Sequence, residues 1–224
     1  MRIRRRQTEE TPDRETAPGV ADADAAEAAA EEQVPGPRAD GPWDSSEVTL
    51  DPEDPTKVDL GGLIVTGRPG LELRLQVDEG RGQVAAVLLA GPEGAVALRP
   101  FAAPRNGDIW DDARKSLAAE VTRQGGTATE ADGPFGPELR VMMNVTTPEG
   151  KVAAQPSRVL GIAGPRWLLR ATLFGRPAVE PDPDSEVEAA LRDVIVVRGS
   201  QPYPPGEALP LRVPANAQRV DPEA

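Results

Sequence analysis

Apolar and polar residues alternate strictly along residues 71–77. Leu71, Leu73, Leu75 and Val77 are separated by Glu72, Arg74 and Gln76. A period of two sends successive side chains to opposite faces, so this segment predicts a half-buried strand. Residues 83–89 form a more continuous apolar run, followed by a Gly-Pro-Glu-Gly turn at 91–94 and a partner strand over 95–101. Further strands are predicted over 138–146 and 151–162, joined at Thr147-Pro148-Glu149-Gly150. Pro early and Gly late suit a hairpin of type I turn plus bulge. A tight Ala163-Gly164-Pro165 turn leads to a strand over 166–174. Parallel neighbours need a crossover of about a dozen residues, so these short connections predict antiparallel pairing.

Two segments follow a helical period instead. Over 108–124, Trp110, Ala113, Leu117 and Val121 step by three and four and form one apolar stripe. Asp108 is placed to cap its start, Asp111 and Asp112 lie in the first turn, and Gly125-Gly126 ends it. A shorter helix is predicted from about Asp184. Ser185 and Glu188 have capping-box spacing, and Val187, Ala190, Leu191 and Val194 form the buried face. A strand over 195–198 follows. The whole reads as an α+β fold: a single domain with a mostly antiparallel sheet and two helices packed on one face.

The flanks differ from this core. Residues 1–42 read as a disordered acidic arm and linker, 43–200 as the domain, and 201–224 as a Pro-rich tail. Residues 209–213 of that tail are apolar enough to lie against the domain. Between Glu9 and Glu32 there are nine acids and one base, too little apolar surface to offset ordering entropy. Trp43 is read as the first anchor onto the domain.

Charge sharpens the division. The formal net charge of the chain is −12, yet residues 56–200 hold 17 Lys+Arg against 19 Asp+Glu. A nearly neutral core lacks the basic footprint of a nucleic-acid-binding domain. The arginine excess over lysine (Lys57, Lys115 and Lys151 are the lysines of this core) fits the codon bias of a GC-rich genome. The basic start, Met1 to Arg6, is followed by a polar, acidic stretch rather than an apolar signal core. No run approaches the ~18 apolar residues of a membrane span, so the expected location is the cytoplasm.

Candidate chemistry is limited by what is missing. The chain has no histidine and no cysteine. Triads, Cys-His dyads, zinc and haem ligation and disulfides are excluded with them, and no cofactor or metal site is predicted. Gln124-Gly125-Gly126 follows a helix rather than preceding one, so it is a helix end and not a phosphate loop. Asp111 and Asp112 point about 100° apart on a helix. With Asp108 they read as a dipole-stabilised helix start rather than a catalytic pair.

Several short motifs together resemble a family of high-GC Gram-positive bacteria, family 3710 of the domains of unknown function. They are Gly41-Pro42-Trp43-Asp44, Val58-Asp59-Leu60-Gly61-Gly62-Leu63, Phe101-Ala102-Ala103-Pro104, Gln124-Gly125-Gly126, Gly164-Pro165-Arg166-Trp167 with Leu169-Arg170, and Arg192-Asp193 with Val196-Val197-Arg198-Gly199. The resemblance spans residues 41 to about 214 and implies no assigned activity. By analogy the element order is similar to that of small PsbP-like and Mog1-like proteins, which act mainly by binding other proteins.

The candidate site is an arginine-bearing sheet face. Alternation over 166–174 sets Arg166 and Arg170 opposite Trp167 and Leu169. The same logic turns Arg74 away from Leu73 and Leu75, and Arg140 away from Leu139 and Val141. Arg158 is a further candidate for that face. Guanidinium groups gathered on one surface suit carboxylate or phosphate. The competing reading, and the favoured one, is a solvated face on which Glu72 and Glu138 pair with them. The function expected from sequence is a non-enzymatic module that binds a protein partner. The alternative is a small-anion or nucleotide module using Arg74, Arg140, Arg166 and Arg170, with the acidic arm as a competitor for that face. A carboxylate-based hydrolase is the distant third. A concave pocket with convergent arginines and a water-filled floor favours the anion module, and a flat or apolar exposed patch favours the protein partner.

Overall fold

The alternating segments build the larger of two sheets. In the computed structural model, which describes residues 38–214 apart from 79, 81, 148 and 149, the strands of this sheet are β4 (Glu72–Asp78), β5 (Gln83–Ala90), β6 (Gly94–Ala102), β7 (Thr127–Gly133), β8 (Gly136–Thr146), β9 (Val152–Gly164) and β10 (Trp167–Gly175). They lie in the order β4-β5-β6-β10-β9-β8-β7, every neighbour antiparallel. A second sheet is made from short pieces: β1 (Trp43–Asp44), β2 (Lys57–Asp59), β3 (Leu63–Thr66) and β11 (Ile195–Val196). Its order is β1-β11-β3-β2, with β1 parallel to β11. The helices are α1 (Trp110–Arg123), the single turn α2 (Arg176–Val179) and α3 (Glu186–Arg192).

The fold class is as expected, but the helices do not share a face. Trp167, Leu169, Ala171 and Leu173 of β10 meet Val187, Ala190 and Leu191 of α3 and the small sheet's Leu63, Val65 and Val196 in one core. Trp110 of α1 packs with Leu139, Val141, Val159 and Leu168 in a second core on the other side. Cross-strand register explains the split. Leu139 sits opposite Val159, and Val159 opposite Thr172, so Leu139 shares a face with Thr172 and Leu168 rather than with Trp167. The large sheet is buried on both sides over part of its width, and the single apolar face assumed from sequence is two.

Close packing fixes both cores. Trp110 lies against Gly161, where an added Cβ would stand 2.0 Å from the indole, and its Nε1 donates to the Pro137 carbonyl at 2.6 Å. Trp167 is fully buried and its Nε1 donates to Asp44 Oδ2 at 2.7 Å. Trp43 itself is half-buried, its N–H donating to the Val194 carbonyl at 2.8 Å. The helix ends follow the expected chemistry in part. Asp108 Oδ1 accepts the Trp110 N–H at 2.7 Å. Ser185 Oγ accepts the Glu188 N–H at 3.3 Å, while the Glu188 carboxylate turns to Arg158 instead of closing the box.

Contacts with the domain are already made at Arg38, ahead of Trp43. Arg38 pairs with Glu47 at 2.6 Å and stacks over Trp167 with its Cζ 5.4 Å from the ring centre. Of the arm and linker read over residues 1–42, residues 1–37, and with them the competition expected of the arm, lie outside the described residues. The C-terminal segment packs where its apolar residues suggested: Leu209 is buried and Leu211 bridges to Gly61 and Val84. No helix among the described residues is long and apolar enough to cross a membrane.

Candidate functional site

The site is built where β6 and β10 pair and α1 stops covering them. Arg99 of β6 stands directly opposite Arg170 of β10, and Phe101 opposite Leu168. All four side chains belong to the α1 side of the sheet. α1 packs over β7, β8 and β9, so the side of β6 and β10 next to it is only half-covered. A groove of about 370 Å³ runs there. Ala113 and Leu117 of α1 form one wall, Phe101 and Leu168 the floor, and Arg170 lies at the sheet side. Ser116, Glu120 and Arg123 supply its polar rim, with Gly206 of the C-terminal segment at another edge.

Both arginines are held by an aromatic ring rather than by an acid. The Arg99 Cζ lies 5.6 Å and the Arg170 Cζ 5.3 Å from the Phe101 ring centre. Among the described residues neither guanidinium has a hydrogen bond or an ion pair, and Arg99 Nε is buried with no partner. Burial first, and then the Arg99 charge, lower the Arg170 guanidinium below its usual pKa. It stays cationic at neutral pH, because arginine does not deprotonate in proteins. Like charges directly opposite on a sheet are destabilising. Arg170 therefore brings a positive charge to the apolar slot, and Arg99, which does not itself line the slot, stands directly opposite Arg170. Among the described residues neither charge has an acidic partner.

The structure does not gather the four arginines picked from sequence. Arg170 is at the site. Arg74 shares its face but lies on β4, exposed and paired with Glu72 at 2.6 Å, a solvated ion pair of the kind favoured from sequence. Arg140 is on the opposite face beside Glu138 at 3.5 Å. The expectation that it joins Arg74 fails because Leu139 and Val141 point into the α1 core, not the core of Leu73 and Leu75. Arg166 is in the turn before β10, with φ of 62°, exposed, its carbonyl accepting from Arg198 Nε at 3.2 Å. Arg158 is fully buried on Arg140's face, between Glu138 at 3.2 Å and Glu188 at 3.1 Å. Glu138 is correspondingly buried rather than solvated.

Arg99 was missed by sequence reasoning. In Ala97-Leu98-Arg99-Pro100-Phe101 it alternates away from Leu98 and the buried Pro100, so its outward face was legible. Its position opposite Arg170 was not, because that depends on the pairing register of β6 with β10. The acids at the start of α1 do not converge: Asp111 is engaged by Arg114 at 2.7 Å and Lys115 at 2.6 Å. No group of three acids among the described residues is arranged to hold a metal ion.

Fold and site together define an α+β domain with an arginine-headed apolar groove. The chain belongs to the family described as protein of unknown function (DUF3710), whose model matches residues 41–220. No curated protein matches it. Among solved structures it is similar to the solution structure of cyanobacterial PsbP (CyanoP) from Synechocystis sp. PCC 6803, at 10% identity and a TM-score of 0.35. That similarity covers 66% of this chain and 98% of the other, and it is too distant to bear on function.

Proposed function

We propose that this domain is a non-catalytic binding module for an anion carried on an apolar body. The charge seats at Arg99 and Arg170, and the body lies in the groove beside α1. The observation that carries this reading is the pair itself: two guanidiniums directly opposite each other, half-covered, with no acidic partner among the described residues. A structural role would supply counter-charges, as it does for Arg158. The concave groove favours the anion module over the protein-partner reading. Among the described residues the exposed large apolar side chains, Leu50, Val77, Met142, Val152, Val179 and Val213, come from six separate segments of the chain.

The absence of catalysis is part of the proposal. The groove offers one hydroxyl, Ser116, and one carboxylate, Glu120, and the latter is held by Arg123 and by Gln124. With no histidine in the chain, nothing at the groove has the usual equipment of a general base near neutral pH.

Methyl NMR tests the reading. Titration with hexanoate is expected to shift the signals of Ala113, Leu117 and Leu168, while hexanol, with the same body and no charge, is expected to leave them in place. The Arg99→Met/Arg170→Met variant should lose the hexanoate response. Equal responses to hexanoate and hexanol, or an unchanged response in the variant, would refute a site organised by the two arginines.

A further inference from the structure

Resting on that site reading, we infer that the anion is a phosphate monoester on an alkyl or aryl body. Charge is the first reason. Arg99 and Arg170 place two positive charges on directly opposed residues, and the acid that lines the groove, Glu120, is already paired with Arg123. A carboxylate or sulfonate brings a single negative charge and leaves one guanidinium uncompensated. A phosphate monoester brings about 1.5 to 2 negative charges at pH 7.

Geometry is the second reason. A guanidinium presents its donors as a planar fork that matches the oxygens of phosphate. Two such forks need more acceptor oxygens than one carboxylate has, and a phosphate monoester supplies three terminal ones. Phe101 contacts both guanidiniums at 5.3 and 5.6 Å from its ring centre. Stacking of this kind uses the face of a guanidinium and leaves its N–H edges free. Among the described residues no hydrogen bond occupies these donors, although Arg99 Nε is itself buried.

The body follows from the walls. Ala113, Leu117, Phe101 and Leu168 offer apolar surface, and the groove's roughly 370 Å³ falls within the usual range for small ligands. Sugar hydroxyls placed against those side chains would lose hydrogen bonds to water without replacement. The slot thus selects a hydrocarbon or aromatic phosphate over a sugar phosphate or free phosphate.

Calorimetry on the full chain separates these points. Hexyl phosphate should bind at pH 7.5, and weaken several-fold at pH 5, because its second ionisation lies near pH 6. Hexanesulfonate has the same body and a tetrahedral head with one charge at both pH values. It should bind roughly tenfold more weakly at pH 7.5, the factor that one lost charge-assisted hydrogen bond supplies, with no pH dependence. Inorganic phosphate, lacking the body, should bind more weakly than hexyl phosphate. Lysine variants Arg99→Lys and Arg170→Lys keep the charge but lose the fork, and should weaken hexyl phosphate and hexanesulfonate alike while keeping the gap between them. Hexanesulfonate matching hexyl phosphate at pH 7.5, with both abolished in Arg99→Met/Arg170→Met, would overturn the phosphate assignment and leave the site standing. Inorganic phosphate matching hexyl phosphate would overturn the apolar body. Failure of every probe, or equal binding to the double methionine variant, would overturn the site itself.

Discussion

Arg158 and Arg170 carry the same charge into the same sheet and meet opposite surroundings. Arg158 is enclosed by Glu138 at 3.2 Å, Glu188 at 3.1 Å and the Pro177 carbonyl at 2.9 Å. Truncating one member of such a cluster leaves the others as uncompensated buried charge, so Arg158→Ala should destabilise the fold by about 3–5 kcal/mol in urea unfolding. A loss under about 1 kcal/mol would mean that the carboxylates neutralise or escape to water. Glu138 gives a pH-dependent version of the same test. Burial raises its pKa above the usual 4.5, against the lowering effect of the Arg158 and Arg140 charges. The folded chain keeps that proton where the unfolded chain has released it. Full stability is therefore present below 4.5 and is lost as pH rises through the raised value. Glu138→Gln removes this term, so the variant should gain on the wild type as pH rises from 4 to 7. A wild type that gains on the variant over that range would show that pairing with Arg158 outweighs burial.

The apolar periods that place β4, β5, β6, α1 and α3 were legible in the chain, because each buries one regular stripe or face. The elements that were not legible bury little or are very short. β7, Thr127–Gly133, carries Glu130 and Asp132 and only alanine as apolar side chain, which suffices for an edge strand. β1 is two residues long and is held by β11 from the other end of the chain, whereas β11, Ile195–Val196, lies within the strand expected over 195–198. The site was half-legible for a related reason. Alternation shows which way Arg99 and Arg170 point relative to their own strands, but only pairing register shows that they meet. The same limit hid the seat of α1. Trp110 reads as core from its stripe, whereas Gly161 beneath it is invisible until β9 is paired. Gly161→Ala would set a methyl 2.0 Å from the indole. Overpacking of this kind usually costs about 1–3 kcal/mol. The expected result is that loss in urea unfolding, with Ala113 and Leu117 methyl signals displaced and those of Leu98 and Leu173 in the other core unmoved. Unchanged stability would mean that α1 floats on the sheet and cannot serve as a rigid groove wall.

At the scale of the whole domain, the two sides of the large sheet are finished differently. One side is closed by α3 and the small sheet, and the other is closed by α1 only over β7, β8 and β9, with the arginine pair at the margin. The stretch 56–200 is nearly charge-balanced, 17 basic against 19 acidic residues, so the positive charge at the groove is local. Within about one Debye length, near 10 Å at 0.1 M salt, it is the arrangement and not the net charge that an anion meets. If Arg99 and Arg170 are kept for a ligand, the domain should fold as well without them. Urea unfolding of the wild type, Arg99→Met, Arg170→Met and the double variant, in the absence of ligand and at low and high salt, measures this directly. Both single variants should be at least as stable as the wild type, and the cycle should return a repulsive coupling of about 0.2–1 kcal/mol that shrinks with salt. Variants destabilised by more than about 1 kcal/mol, with an attractive coupling, would show that the two arginines hold the fold together and that the groove is not their purpose.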